Sequence, residues 1–283
     1  MGFIKKVLTE KPSVLRLLHA ETTSSQTARD PKVLHASDLT DDQKSFCPRE
    51  FALMRLVGVR KKPKYINPSL RMTFDEGMDK QNRITNDYLR DYMVGPWSCV
   101  LCGSLEQWNI GPPDDTGCKH GKHAWWYQEP VFTHPSGFSG SIDGLIAFNA
   151  KMIRPLEVKI LKGDELLGLK APMAEHRIRT RLYLRLIAES TNSPYRGSID
   201  TSCAHLLYVM RGFGRMVDGT MTPFLEFVVS RDDTDTDHYI ELAERASTGM
   251  PTGICGTALD KRAKNCKVRQ QCFSGEYPPD EKA

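Results

Sequence analysis

Asp143, Glu157 and Lys159 lie in "GFSGSIDGLIAFN" and "KMIRPLEVKIL", two segments that read as strands joined by a tight turn. Apolar residues suit such a hairpin, so two acids and an amine need a reason. Alternation along an extended chain puts Glu157 and Lys159 on one face and Leu156, Val158 and Ile160 on the other. Asp143 is expected near the middle of the first strand, where a hairpin can bring it beside Glu157. Two carboxylates that converge repel each other unless a cation lies between them. Hard oxygen ligands select Mg2+ or Mn2+. A lysine beside them can orient an attacking water or stabilise charge developing on a phosphate. The competing reading is a solvated Glu157–Lys159 pair on an edge strand, with Asp143 as a turn acid.

The eight cysteines form two groups and a lone Cys203, a pattern that suits two metal centres better than a disulfide framework. In "CVLCGSLEQWNIGPPDDTGCKHGKH" a C-x-x-C pair is followed by Cys118, His120 and His123. This matches structural zinc spacing, with Cys99, Cys102 and Cys118 as three ligands. His123 is favoured as the fourth for its longer reach, and His120 is the alternative. A thioredoxin-like redox pair is not expected, because no βαβ pattern surrounds the motif. Trp108, Trp125 and Trp126 with Lys119 and Lys122 mix aromatic faces with positive charge, which suits a single nucleic-acid strand. Equally, the tryptophans would pack the knuckle against the body.

The elements that must position these residues follow from periodicity. "HASDLTDDQKSFCPREFALMRLVG" opens with an N-cap expected at Ser37, and a helical period continues through Phe46, Phe51, Leu53 and Leu56. A second helix is expected over 69–93, with Phe74, Met78, Ile84, Tyr88 and Leu89 as its apolar positions. Residues 95–124, rich in Gly, Pro, Cys and His, read as an inserted knuckle held by metal rather than by a core. Strands are expected at 129–134, 139–148 and 152–160, then a helix over 172–190. Strands at "SCAHLLYVM" and "FLEFVVS" and a helix over 235–247 follow, then a basic, cysteine-bearing segment over 250–275. In the 172–190 helix Ile178, Leu182 and Leu186 form a core stripe. Arg177, Arg181 and Arg185 form a neighbouring stripe that can track phosphates or simply face solvent.

Residues 1–36 read as a short helix and polar linker, and 37–283 as one α/β (α+β) domain with a small insertion. The 283-residue chain is 40% hydrophobic and 26% charged, enough for one large core or two modest ones. A net charge of +4 allows nucleic acid as a partner without demanding it. No apolar run is long enough to span a bilayer and no secretory signal is evident, so a soluble, cytoplasmic chain without a membrane partner is expected.

Asp143 followed by Glu157-Val158-Lys159 on the next strand resembles the core motif of the PD-(D/E)XK nuclease superfamily, its RecB-like branch in particular. The resemblance implies a restriction-endonuclease-like central mixed sheet flanked by helices, and a metal-dependent DNA nuclease acting on single strands or DNA ends. Asp143, Glu157 and the Val158 carbonyl would hold Mg2+ or Mn2+, and Lys159 would position the attacking water. The branch usually carries G-x-x-x-H upstream; "EGMDKQ" keeps Gly77 and puts Gln81 at the histidine position, with Glu76 as a substitute carboxylate or a solvent-facing one. Downstream it usually carries Q-x-x-x-Y; "RTRLY" keeps Tyr183 and puts Arg179 at the glutamine position. Tyr183, Arg179 and the row Arg177, Arg181 and Arg185 would hold the strand.

"FCPREFAL" resembles the segment bearing the first cluster ligand in iron–sulfur RecB-like nucleases, the CRISPR adaptation and AddB-type families. Cys266 and Cys272 have the five-residue separation of that family's last two ligands, whereas Cys255 stands farther ahead of them than usual. The implied 4Fe-4S ligands are Cys47, Cys255, Cys266 and Cys272, a staple joining distant parts of the chain; zinc accepts the same four. Implied partners are DNA and a helicase, a recombinase or a CRISPR adaptation protein, and phages carry stand-alone members. The departures at Gln81 and Arg179 motivate an alternative, a catalytically weak DNA-binding or assembly module that retains the nuclease fold. An RNA-directed nuclease with the same chemistry is a third reading.

Overall fold

The computed structural model describes residues 33–40, 46–58, 68–113, 118–121, 124–149, 152–193, 197–211, 215–217 and 220–274. The helix and linker expected before residue 33 lie outside the described residues. In chain order the elements are β1 (Leu34–His35), α1 (Ala36–Leu39), α2 (Pro48–Leu56) and α3 (Pro68–Arg83). A π-helical turn (Ile84–Tyr88) and a 3-10 turn (Arg90–Tyr92) lead to β2 (Val94–Cys99), β3 (Leu105–Ile110) and β4 (Trp125–Tyr127). Next come β5 (Val131–Thr133), β6 (Phe138–Ser141), β7 (Gly144–Asn149), β8 (Met152–Lys162), α4 (Gly163–Leu167) and α5 (Ala174–Glu189). The last are β9 (Cys203–Arg211), β10 (Arg215–Val217), β11 (Thr220–Thr222), β12 (Phe224–Ser230), α6 (Thr234–Ser247), α7 (Lys261–Lys264) and α8 (Arg269–Ser274).

The result is a mixed α/β fold. Its central sheet runs β12-β9-β8-β7, with β8 and β9 parallel and the outer pairs antiparallel. One face of β8 puts Leu156 and Val158 with Ile84 and Val209. The other carries Leu161 into a cluster with Leu166, Leu206, Tyr208 and Met210. Between α5, α6 and the small sheet β1-β6-β5 lies the largest core, including Phe132, Phe138, Leu182, Leu186, Ile240 and Ala243. The expected stripe of α5 is present at Leu182 and Leu186, both buried. Among the described residues no helix is long and apolar enough to cross a membrane.

Several local expectations change. His35, not Ser37, is the N-cap of a four-residue helix, and a separate helix starts after Cys47 with Pro48 in its first turn. Proline lacks the N–H that a helix interior would need and is tolerated where N–H groups have no intrahelical acceptor. The helix after residue 68 stops at Arg83, and of its expected stripe Phe74, Met78 and Tyr88 are exposed while Ile84 is buried. The single strand expected over 139–148 is two strands in two different sheets, and Asp143 falls in the break between them.

The knuckle has a sheet and a core of its own. Strands β3-β2-β4 make an antiparallel sheet with a small core of Met93, Trp97, Cys99, Cys118, Ala124, Trp125 and Tyr127. Alternation turns Trp97 and Cys99, and Trp125 and Tyr127, to the same side. Pro96 interrupts the β2–β3 ladder, because it has no N–H to give. Gly95 pairs with Asn109 but Trp97 pairs with Glu106, so the Gln107–Trp108 step bulges opposite Pro96. Trp108 takes a φ of 62°, a left-handed conformation that costs a bulky residue about 1–3 kcal/mol. Its ring then packs on Phe132 at 5.8 Å, outside the knuckle sheet.

Tyr127 fastens this sheet to the central one. Its buried hydroxyl donates to the Val94 carbonyl (3.1 Å) and accepts from the Leu145 N–H (3.3 Å) on β7. Burial drives its phenol pKa well above the ordinary value. Tyr127→Phe removes the acceptor for a buried N–H and should lower stability by about 1–3 kcal/mol, read as a lower urea midpoint at unchanged m-value.

Candidate active site and metal centres

β7 begins at Gly144, opposite Leu156, so β8 loses its neighbour on that edge just before Glu157. The Val158 N–H would lack a ladder partner there, and Asp143 Oδ2 accepts it at 2.6 Å. Lys159 Nζ donates to the Val158 carbonyl at 3.2 Å, pairs with Glu157 Oε1, and lies 3.8 Å from Asp143 Oδ2. Both carboxylates therefore reach one ammonium. Glu157 is only 2% exposed, and its Oε2 has no hydrogen-bond partner. Burial, reinforced by repulsion from Asp143, pushes the Glu157 pKa up to about 7 against the opposing pull of Lys159. Burial disfavours the Lys159 charge, but Glu157 and Asp143 outweigh it and hold the ammonium charged.

Gln81, at the end of α3, donates its amide nitrogen to Asp143 Oδ1 (3.1 Å) and Glu129 Oε1 (2.7 Å). Glu129 is a third carboxylate at this site that spacing did not single out. Its pKa is raised by desolvation of the carboxyl and then by Asp143, with Ser141 and Gln81 opposing. No local signal marks it, since "YQEPV" reads as an ordinary entry into a strand. Glu76 instead pairs with Lys80 and Arg211 on the helix surface.

Two members of the arginine row are held in ion pairs. Arg181 pairs with Asp232 and Asp235, and Arg185 with Glu189 and Asp237, so these two clamp α5 to the start of α6. Acids at 232–237 answer the charge that the helix pattern alone leaves open. Arg177 is exposed. Arg179 donates to Thr40 Oγ1 at 3.3 Å, and its charge is felt at Glu157 and Lys159. Tyr183 is buried beneath the carboxylates against Gly140, so its ring packs rather than facing a strand. Burial, then Glu157 and Asp143, raise its pKa.

In the knuckle the Sγ atoms of Cys99, Cys102 and Cys118 and a ring nitrogen of His120 all lie within 4.8 Å of one another. Cys118 Sγ is 3.2 Å from Cys99 Sγ, 3.3 Å from Cys102 Sγ and 3.1 Å from His120 Nδ1. Gly103, at a φ of 72°, closes the C-x-x-C turn by donating its N–H to the Cys99 carbonyl. Such a Cys3His group could hold a metal ion. His120 takes the fourth position that was expected of His123, which lies outside the described residues.

Members of the second cysteine set lie near the half-buried Arg262–Glu50 ion pair (2.9 Å). Cys47 and Cys255 act on Arg262, and Cys266 feels Arg262, Glu50 and Cys272. Desolvation pushes the Cys266 thiol up to about 11. Cys266 and Cys272 pack on Leu53, Met54 and Val268, and Arg49 donates to the carbonyls of Pro251 and Cys272. All eight cysteines are free of disulfides.

No protein-family model matches this chain and no curated protein matches its sequence. Among solved structures, an alkaline exonuclease from Laribacter hongkongensis aligns at 14% identity with a TM-score of 0.39, and the same enzyme in complex with dAMP at 14% with 0.41. Each alignment covers 82% of this chain and 90% of the other.

The Glu157 shift has a consequence for stability. A carboxyl whose folded pKa is raised keeps its proton while the unfolded chain releases it, so stability falls as pH rises from about 4.5 to about 7. Thermal melts across that window in protein free of added divalent cations should show the decline, and Glu157→Gln should flatten it.

Proposed function

We propose that this chain is a divalent-metal-dependent DNA nuclease that hydrolyses phosphodiester bonds in single strands or at DNA ends. The observation that carries the reading is the convergence of Asp143 and Glu157 on Lys159 at the open edge of β8. The donor set suits Mg2+ or Mn2+: the unpartnered Glu157 Oε2, the Asp143 carboxylate and the Val158 carbonyl are all hard oxygens. A bound ion would supply Lewis acidity at the phosphate and lower the pKa of a water.

The chain's own groups do the rest. Lys159 presents a fixed ammonium where an attacking water and a phosphate oxygen must meet, which favours charge developing on the phosphate. Gln81 holds the Asp143 side chain and keeps Glu129 beside it. Arg179 adds positive potential behind Glu157. With Mn2+ and labelled single- and double-stranded DNA, Glu157→Ala and Lys159→Ala should each lower cleavage by at least about a hundredfold. Cleavage unchanged in Glu157→Ala removes this site. Binding without cleavage by the wild type supports the assembly-module reading, which the glutamine at position 81 motivates.

The same reading assigns zinc to Cys99, Cys102, Cys118 and His120, and a 4Fe-4S cluster to Cys47, Cys255, Cys266 and Cys272. Cys47 and Cys255 act on the half-buried Arg262–Glu50 pair that Cys266 also feels, and four thiolates meet the cluster's ligand count. Anaerobically purified protein should carry zinc and iron with broad visible absorbance. Cys118→Ser should lose the zinc alone and Cys266→Ser the iron alone; colourless protein containing only zinc counts against the cluster.

A further inference from the structure

A cleft of about 400 Å³ opens beside the carboxylate site, between the knuckle sheet and β5. Trp108, Pro96, Leu105 and Val131 give it apolar walls. Glu129, the carboxylate tied through Gln81 to Asp143, stands at its lip, so the cleft and the candidate active site share a residue. Its size falls within the range of small-ligand sites.

Trp108 is there because the backbone is bent to deliver it. Pro96 forces the bulge, the bulge puts Trp108 at a φ of 62°, and the indole leaves the knuckle sheet to form a wall of the cleft. Strained, bulged positions that re-aim one side chain concentrate at functional sites. Leu105 and Val131, more than half exposed, leave the apolar walls open to solvent.

We propose that this cleft takes one unpaired nucleobase of a single DNA strand whose backbone crosses the Asp143–Glu157–Lys159 edge; the inference rests on the nuclease reading and deepens it. The chemistry selects a base over a phosphate. Glu129 repels an anion, while aliphatic and indole walls suit a flat, neutral ring. Gln128, which lines the cleft, donates its amide nitrogen to Ser98 Oγ at 2.9 Å, and its amide oxygen is of the type that accepts from an exocyclic amine. Asn192 is braced by the Val131 carbonyl and the Thr133 N–H and serves as a rigid wall. A paired base cannot enter, so the cleft selects single-stranded substrate.

The test uses the full chain carrying Glu157→Ala, without added divalent cation, and fluorescence anisotropy with a short oligodeoxynucleotide. A series of the same strand carries one abasic position moved along it. At one position, loss of the base should weaken binding by roughly tenfold or more, as expected for one aromatic stack. Adding Trp108→Ala should erase that difference and leave binding of the abasic strand unchanged, whereas Trp108→Phe should retain it. Circular dichroism and zinc content check that the variants fold. Should Trp108→Ala not fold, Leu105→Asn, at a position 56% exposed, should reduce the base dependence several-fold. Binding that ignores the bases at every position, or base dependence that survives Trp108→Ala in folded protein, overturns the cleft proposal alone. Absence of any DNA binding by this variant overturns the cleft proposal, while cleavage by the wild type with Mn2+ decides the nuclease reading separately.

Discussion

The start of β7 at Gly144 is the constraint on which the site depends. It leaves the Val158 N–H and carbonyl on an open edge in the middle of an otherwise paired sheet. Buried backbone groups seldom stay unpaired, and here one acid and one amine satisfy them. The same two side chains thereby become fixed beside Glu157, a carboxylate shielded from water on nearly every side. A structural requirement of the sheet and the electrostatics of the site are met by a single arrangement. β9 and α5 rigidify it from one side and the end of α3 from the other, so only the edge remains accessible.

Around that edge the accessory parts are attached by polar contacts with buried ends. Tyr127 links the knuckle sheet to β7, and Asn86 accepts the Tyr127 N–H at 2.6 Å. The knuckle thus stands at a defined angle to the carboxylates, and Trp108 on its bulge reaches the body. Arg181 and Arg185 set α6 against α5 through more exposed ion pairs, with Asp232 from the loop after β12 and Asp237 from the first turn of α6.

Much of the scaffold was legible in the sequence because its strands and helices carry strong periodic signals. β8, β9, β12 and α5 fall close to where apolar alternation and the four-residue stripe place them, and Asp143, Glu157 and Lys159 do lie together. The break at Asp143 was not legible, since "GFSGSIDGLIAF" continues to read as one strand through the point where the chain changes sheets. Glu129 was invisible for a different reason: "YQEPV" carries no pattern that marks an acid for a site, and only folding brings it to Asp143, with Gln81 bridging the two. The partners of the arginine stripe were not legible because those counter-charges lie some fifty residues downstream. Likewise His120 and His123 fit the same spacing rule, and spacing alone does not choose between them; among the described residues it is His120 that stands with the three thiols.

The packing of Val268 on Leu53 and Met54 carries an implication for biogenesis. During synthesis α2 emerges long before its covering residue, so a ribosome-bound chain presents an oily helix face for as long as some two hundred further codons take to translate, on the order of ten seconds or more. A chaperone that shields that face, or slow translation that prolongs its exposure, would govern how much polypeptide escapes aggregation.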